Sequence, residues 1–227
     1  MILGGVVRTD KTKREIRLVF TAHDKGEGGE IVRSVLKKHN IKASFFFTGD
    51  FYRNAKFTAF IKALKKDGHY LGAHSDKHLL YAPWEKRDSL LISREDFVRD
   101  LRANYAEMEK FGVKKEDAKY FLPPFEWYNE EISRWAKELG LELVNFTPGT
   151  RSNADYTSPL VDKNYVSSDD IYKSIMNFEK SDKNGLNGFI LLTHIAATEG
   201  RKDLFYNRLD SLITELEGKG YIFTRFK

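Results

Sequence analysis

Residues 16–24 are Ile16-Arg17-Leu18-Val19-Phe20-Thr21-Ala22-His23-Asp24, a short β-branched and aromatic run that ends in polar residues. Similar runs recur along the chain and alternate with longer amphipathic stretches. This alternation is typical of repeated βα units around a parallel sheet. The sequence therefore predicts an α/β fold with about seven parallel strands in a single domain over residues 1–227.

The candidate strands and helices alternate from end to end. Strands are predicted at residues 16–21, 43–48, 70–73, 120–122, 143–146, 189–193 and 221–226. Helices are predicted near residues 30–39, 56–67, 93–111, 130–139, 168–181 and 204–218. Ser93 gives the third helix an N-cap signal, and Gly140 and Gly218 are C-terminal signals of the fourth and the last. The connections 74–92 and 147–167 are too long for simple turns, so we expect both to border a site.

The composition excludes several classes of site and partner. The chain has 227 residues and no cysteine, so thiolate metal sites, disulfides and cysteine nucleophiles are excluded. The net charge of +5 comes from scattered Lys and Arg without a compact basic block, which argues against a nucleic-acid partner. No apolar run reaches the roughly 18 to 20 residues of a membrane span. We expect a soluble protein, extracytoplasmic if a leader has been removed, whose oligomeric state the sequence leaves open.

Polar residues follow the predicted strands at corresponding places. Asp24, His74, Pro123, Asn145 and His194 each lie at or just past a strand's C-terminal end. In parallel α/β barrels these ends meet at one mouth, where loops from different strands form the active site. We therefore expect these five residues to lie around one site.

A metal site is predicted from three of the polar residues. His74 and His78 are four residues apart, and a helical turn there would bring both imidazoles onto one side. Asp24 adds a carboxylate at an equivalent strand end. Two neutral imidazoles and one carboxylate form a three-ligand set that leaves a position for water. Zinc suits this set best, and cobalt or nickel would also accept it.

Several short motifs, in order, resemble those of the polysaccharide deacetylases, the NodB-homology group of carbohydrate esterases. Thr21-Ala22-His23-Asp24 resembles the family's Thr-Phe-Asp-Asp, and His74-Ser75-Asp76-Lys77-His78 resembles its metal-binding His motif. Leu122-Pro123-Pro124-Phe125 is similar to Arg-Pro-Pro-Tyr, and Leu191-Leu192-Thr193-His194 to Leu-x-x-His. Residues 43–49 resemble the family's second strand. The resemblance covers nearly the whole chain and implies a distorted, NodB-like (β/α) barrel.

The resemblance also implies a reaction, the hydrolysis of N- or O-linked acetyl groups on a carbohydrate. A divalent metal on Asp24, His74 and His78 would polarise the acetyl carbonyl and lower the pKa of its water. A backbone N–H near Pro124 and Phe125 would help to hold the oxyanion, and protonated His194 would donate to the leaving group.

Two departures from the family pattern leave the general base open. His23 stands where the family has its catalytic Asp, and Leu122 where it has the Arg paired with that Asp. His23 could be the base, an added metal ligand, or inert with Glu126 as the base or as the group that orients His23; we favour His23 as the base. Asp155 is a candidate for the acid that orients His194, with Asn145 at the strand end where that acid is expected.

Aromatic residues on the same loops are candidates for sugar stacking. Trp84, Phe125, Trp127 and Tyr128 are available, and each could instead pack in the core. Trp127 is our first choice as a platform because it closely follows the Pro-Pro turn.

Two other functions stay open from the sequence. The first is a carbohydrate-binding homologue that has lost catalysis. The second is a related barrel hydrolase acting on another amide or on a glycosidic bond, which would require two suitably spaced carboxylates.

Overall fold

The computed structural model describes all of residues 1–227. The seven strands are β1 (Glu15–Ala22), β2 (Ser44–Phe47), β3 (Tyr70–Ala73), β4 (Tyr120–Phe121), β5 (Glu142–Leu143), β6 (Phe189–His194) and β7 (Ile222–Thr224). The seven α-helices are α1 (Gly29–Lys38), α2 (Gly49–Arg53), α3 (Thr58–Lys66), α4 (Arg94–Glu109), α5 (Glu130–Glu138), α6 (Ser168–Ser181) and α7 (Leu209–Gly218).

All strand pairs of the sheet are parallel, as predicted. The hydrogen-bonded order is β5-β4-β3-β2-β1-β6, with β7 also paired to β1. Residues 15–17 of β1 pair with β7, and residues 19–22 pair with β2. The sheet curls into a distorted, incomplete (β/α) barrel, which confirms the predicted fold class. Strand β2 is buried along its whole length, as expected for a parallel strand covered on both faces.

The N-terminal segment lies in the gap between β5 and β6. Val6 bridges to Val144 just beyond β5, and Arg8 forms an antiparallel bridge with Phe189 at the start of β6. The Thr147 side chain also accepts a hydrogen bond from the Ile190 N–H, 2.9 Å away. These contacts connect the two edges that no strand pair joins.

Several predicted elements differ from the structure, and the main differences have local causes. The fifth strand ends at Leu143, because the residues after it pair with the N-terminal segment. Helix α2 was missed; it is five residues long and begins at a Thr48 cap. The last α-helix begins at Leu209 after a 3-10 turn over Phe205–Arg208. Its left-handed C-terminal glycine is Gly220, with φ +85°, whereas Gly218 is still helical.

The buried apolar side chains form one continuous cluster of 53 residues, which includes side chains from both ends of the chain. None of the helices combines the length and apolar character needed to cross a bilayer.

Candidate active site

The C-terminal ends of β1, β3 and β6 open into a cavity of about 620 Å³. The predicted site residues that line it are His23, Asp24, His74, His78, Trp84, Phe125, Glu126 and His194. Of the five residues predicted to converge, Asp24, His74 and His194 line the cavity, because parallel strands bring their carboxyl ends to the same edge of the sheet. Pro123 and Asn145 do not line it.

The segment from His74 to His78 is a loop rather than the predicted helical turn. Ser75 and His78 have left-handed φ values of +71° and +56°. The loop still brings the two imidazoles together, with ring centroids 5.1 Å apart. His74 and His78 are thus brought together by a loop and not by the predicted helical turn.

Two buried polar residues of α4 hold this loop. Asn104 accepts the His74 N–H at 2.9 Å and donates to the Phe47 carbonyl. Asp100 accepts the backbone N–H groups of Asp76 and Lys77. Neither residue was predicted from the sequence. Their burial is recognisable in the sequence, because they lie at helical spacing among the apolar residues that α4 buries.

His74 is oriented by a single carbonyl. Its Nδ1 lies 2.8 Å from the Leu122 carbonyl oxygen, which can only accept, so Nδ1 carries the proton and Nε2 is left free. Burial, and more weakly the nearby His194 and His23, lower the pKa of His74 to about 3. The imidazole is therefore neutral at physiological pH, the form that binds metals.

His23 is held in a similar way. The Thr48 hydroxyl donates to the His23 carbonyl at 2.8 Å, so it can only accept from His23 Nδ1, 3.2 Å away. This leaves Nε2 of His23 free as well. The His23 ring stacks on that of His78 at 4.8 Å. Burial and the neighbouring His74 and His23 lower the pKa of His78 to about 2.

Asp24 does not join these imidazoles. The chain bends outward after β1, so Asp24 lines the cavity from an exposed position. No three His, Asp or Glu side chains lie close enough together to hold one ion. The predicted set of Asp24, His74 and His78 is therefore not assembled. The imidazoles have the donor chemistry of a metal site without its geometry.

His194 and Asp155 form a close pair. Asp155 is buried and accepts both the His194 backbone N–H at 2.8 Å and Nδ1 at 2.6 Å. Burial opposes a charge on His194, but the Asp155 carboxylate outweighs it and raises the pKa of His194. Of the two candidates to orient His194, the structure thus places Asp155 against it. Asn145 instead donates to the Glu126 carbonyl.

Glu126 reaches the cavity from the turn that follows Pro123 and Pro124. Phe125 and Glu126 both have left-handed φ values, +59° and +54°. Burial raises the pKa of Glu126 to about 7, Asp155 adds to this rise, and His194 opposes it. The turn also packs the Phe125 ring on His78, with centroids 4.3 Å apart.

The aromatic rim differs from the predicted one. Trp84 and Phe125 line the cavity and are 52% and 42% exposed. Tyr128 is 1% exposed and donates to the Ile2 carbonyl, so its selection as a sugar contact was wrong. Trp127 does not line the cavity, because the Arg87 guanidinium covers its ring at 4.0 Å.

Pro124 and Tyr156 also differ from what the sequence predicts. Pro124, a predicted substrate contact, is buried. Tyr156 was missed; it is 41% exposed, lines the cavity and packs edge-on against the His194 ring at 4.9 Å. No periodic pattern marks such a residue within a long polar loop.

Residues 10–144 match the family described as polysaccharide deacetylase, which is more than half of the chain. The chain belongs to this family.

Two curated members show the range of similarity. A peptidoglycan-N-acetylglucosamine deacetylase of Bacillus cereus is 27% identical over 211 residues, covering 92% of this chain and 65% of that protein. The peptidoglycan-N-acetylmuramic acid deacetylase PdaA of Bacillus subtilis is 29% identical over 113 residues, covering 50% of this chain and 39% of that protein. The chain thus spans less than two thirds of either relative.

Solved structures of family 4 carbohydrate esterases share the fold. A peptidoglycan N-acetylglucosamine deacetylase has a TM-score of 0.77 at 22% identity, covering 99% of this chain and 91% of that one. A pseudoenzyme from Bacillus anthracis has a TM-score of 0.72 at 19% identity, covering 100% of this chain and 68% of that one. At these identities the likeness concerns the fold alone.

Proposed function

We propose that this polysaccharide deacetylase family member hydrolyses N- or O-linked acetyl groups on a carbohydrate. The observation that carries the proposal is the His194–Asp155 pair, 2.6 Å apart, in the same cavity as three further imidazoles. A positioned imidazolium is a suitable general acid near neutral pH. A free-standing histidine would not need a buried carboxylate against Nδ1.

The pair fixes which nitrogen of His194 can reach a substrate. Asp155 engages Nδ1 and the backbone N–H, so Nε2 is left for the leaving group. The raised pKa keeps the imidazole protonated to higher pH than usual. Protonated His194 would therefore donate to the departing amine or alkoxide.

An unpaired buried hydroxyl supports the proposal that a polar ligand binds in this cavity. Thr21 is 1% exposed, lines the cavity and has no hydrogen-bond partner for its hydroxyl. An unpartnered buried hydroxyl costs free energy unless a bound molecule satisfies it.

A divalent metal, zinc first and cobalt or nickel next, fits the donor chemistry. His74 and His78 would hold it, with His23 or Asp24 after rearrangement of their side chains. When bound it would act as a Lewis acid at the acetyl carbonyl.

The substrate class follows from the rim and from the relatives. Trp84, Phe125 and Tyr156 offer exposed aromatic faces at the cavity, suitable for stacking on sugar rings. The curated relatives are named for peptidoglycan N-acetyl groups. N-acetylated glycans are therefore the first substrates that we propose, ahead of O-acetylated ones.

The experiment measures acetate release from chitin oligomers, peptidoglycan and acetylated xylan after loading with zinc, cobalt or nickel. We expect acetate release that a chelator removes, and zinc binding that His74→Gln abolishes at pH 8. His39→Gln, far from the cavity, is the matched histidine control. Absence of both acetate and metal binding would refute the proposal, and release of reducing ends would assign the chain to glycosidases.

A second candidate is a carbohydrate-binding homologue without turnover. It is favoured by His23 and the buried Leu122, which replace the family's catalytic Asp and its Arg partner. Removing both charges together avoids an unpaired buried charge and so leaves a stable, remodelled site. Glycan binding without acetate release under all three metals would support it.

A further inference from the structure

Glu126 holds an unusual position in the cavity wall. It lines the cavity together with His194, and its carboxylate makes no hydrogen bond or ion pair with the protein. The other carboxylate beside His194, that of Asp155, already holds His194 with both of its oxygens. Glu126 is therefore the carboxylate there that is free to act on a bound molecule.

The backbone at Glu126 is strained for a residue with a side chain. Its φ of +54° follows Phe125 at +59°, a region where glycine is favoured and Cβ atoms clash. The turn is fixed by three hydrogen bonds. The Glu126 N–H donates to Pro123, the Trp127 N–H to Pro124, and Asn145 to the Glu126 carbonyl at 2.7 Å. Strain held in this way commonly marks a functional position.

His23 is the alternative base, and its surroundings argue against that role. Its ring stacks on His78, and its Nδ1 is engaged by the Thr48 hydroxyl. The His23 ring is thus packed within the imidazole cluster, whereas the Glu126 carboxylate has no protein partner and lines the cavity together with His194.

We propose that Glu126 is the general base of the reaction, in place of the residue at position 23. This inference rests on the proposed function. It pairs a carboxylate base with an imidazolium acid across one cavity, and it assigns His23 to the imidazole cluster.

The charges facing Glu126 suit a base working near neutral pH. Burial raises its pKa to about 7, with a further rise from Asp155 and an opposing effect of His194. Tyr156 lines the same cavity, and burial, followed by the Glu126 charge, raises the pKa of Tyr156. The other titratable groups of the cavity are His23, Asp24, Lys25, His74 and His78.

The proposed chemical step is hydrolysis of the bond between the acetyl group and the sugar. Glu126 takes a proton from water as the water oxygen bonds to the acetyl carbon, and the carbonyl electron pair moves onto oxygen. Collapse of the tetrahedral adduct re-forms the carbonyl and breaks the bond to the amine or alkoxide, which takes the proton from His194. The Glu126 proton then returns His194 to its imidazolium form, and the acetic acid that is released loses its own proton to solvent, giving acetate and the deacetylated sugar.

The test compares Glu126→Gln, Glu126→Gly and the control Glu130→Gln, an exposed glutamate at the start of α5. We expect kcat to fall by about 100-fold or more in both Glu126 variants, and the acid limb of kcat/KM near pH 7 to disappear. Glu126→Gly should unfold at a higher urea concentration than the wild type, because glycine relieves the strain. Loss of activity with a gain of stability would show a chemical role.

A second measurement does not depend on turnover. In NMR titrations, Glu126→Gln should lower the pKa of His194 by removing the opposing negative charge. The inference is overturned if the wild type releases acetate and Glu126→Gln keeps its kcat within twofold, or if the pKa of His194 does not change. An inactive wild type with the His194 shift intact would refute the proposed function and the base role, leaving only the Glu126–His194 coupling.

Discussion

Asp155 is the main charged group that raises the pKa of His194. Its carboxylate accepts Nδ1 at 2.6 Å and holds the pKa of His194 above its ordinary value despite burial. Asp155→Asn keeps the shape but removes the charge, so the pKa of His194 should fall, as seen in an NMR pH titration. If His194 is the general acid, kcat for acetate release should fall by about 100-fold or more.

The control for this change is Asp117→Asn, an exposed aspartate outside the cavity. It should leave both the His194 titration and kcat unchanged. An unaltered His194 pKa in Asp155→Asn would show that burial, not the carboxylate, governs this histidine.

Helix α4 positions the loop from His74 to His78 through a buried side-chain amide. Asn104 is fully buried and bonds the His74 N–H and the Phe47 carbonyl, so it ties β2 and the loop after β3 to one helix. Asn104→Leu keeps the volume and leaves both backbone groups unpaired. We expect the free energy of unfolding to fall by about 2–4 kcal/mol, measured by urea denaturation.

Arg102→Leu is the matched control on the exposed face of the same helix. Its effect should stay within about 0.5 kcal/mol. Equal losses from the two variants would mean that the added leucine, rather than the lost amide, is responsible.

Helices α1 and α7 are joined by a pH-dependent contact at His39, the residue that ends α1. Its ring nitrogens lie 2.7 Å from Asp210 and 2.9 Å from Glu217. Burial lowers the pKa of His39, but the hydrogen bonds to both carboxylates outweigh it and raise the value above 6.5. The charged ring therefore stabilises the fold below about pH 6.5, and this contribution fades as pH rises through the raised pKa.

His39→Gln should thus lower the free energy of unfolding at pH 6 and have little effect at pH 9. Urea denaturation at the two values measures this. A loss of equal size at both would assign the contribution to packing instead of charge.

Across the whole molecule, the positions of helices and strands were predicted from the sequence more accurately than the directions in which side chains point. Helix α6 and strand β3 have the predicted bounds, because a Ser167 cap and a buried apolar run mark them locally. The meeting of Asp24, His74 and His194 at the cavity followed from parallel topology, whereas Pro123 and Asn145, predicted on the same ground, do not line it. The burial of Tyr128 did not follow from the topology. The direction of this side chain depends on the left-handed turn at Phe125 and Glu126, and neither residue type indicates such a turn.

The N-terminal segment, which was not predicted from the sequence, contacts both open edges of the barrel, and Arg8 holds it at the β6 side. Its side chain is 10% exposed, donates to the Asn187 and Gly185 carbonyls at 2.9 and 2.7 Å, and pairs with Asp182 at 3.3 Å. These partners all precede β6, so one guanidinium holds the first segment of the chain against the loop that leads into the sheet.

Arg8→Met should lower the free energy of unfolding by about 1–2 kcal/mol, because charged donors are lost and two partly buried carbonyls are left unpaired. Arg8→Lys should lie between that variant and the wild type, since an ammonium keeps the charge but cannot span all three acceptors. Lys11→Met, at an exposed cation three residues away, is the control and should change little. Because Arg8 contacts none of the residues that line the cavity, the metal binding proposed for His74 and His78 should be unchanged in the folded variants. Weakened metal binding in Arg8→Lys at full folding would show instead that closing the gap between β5 and β6 shapes the cavity itself.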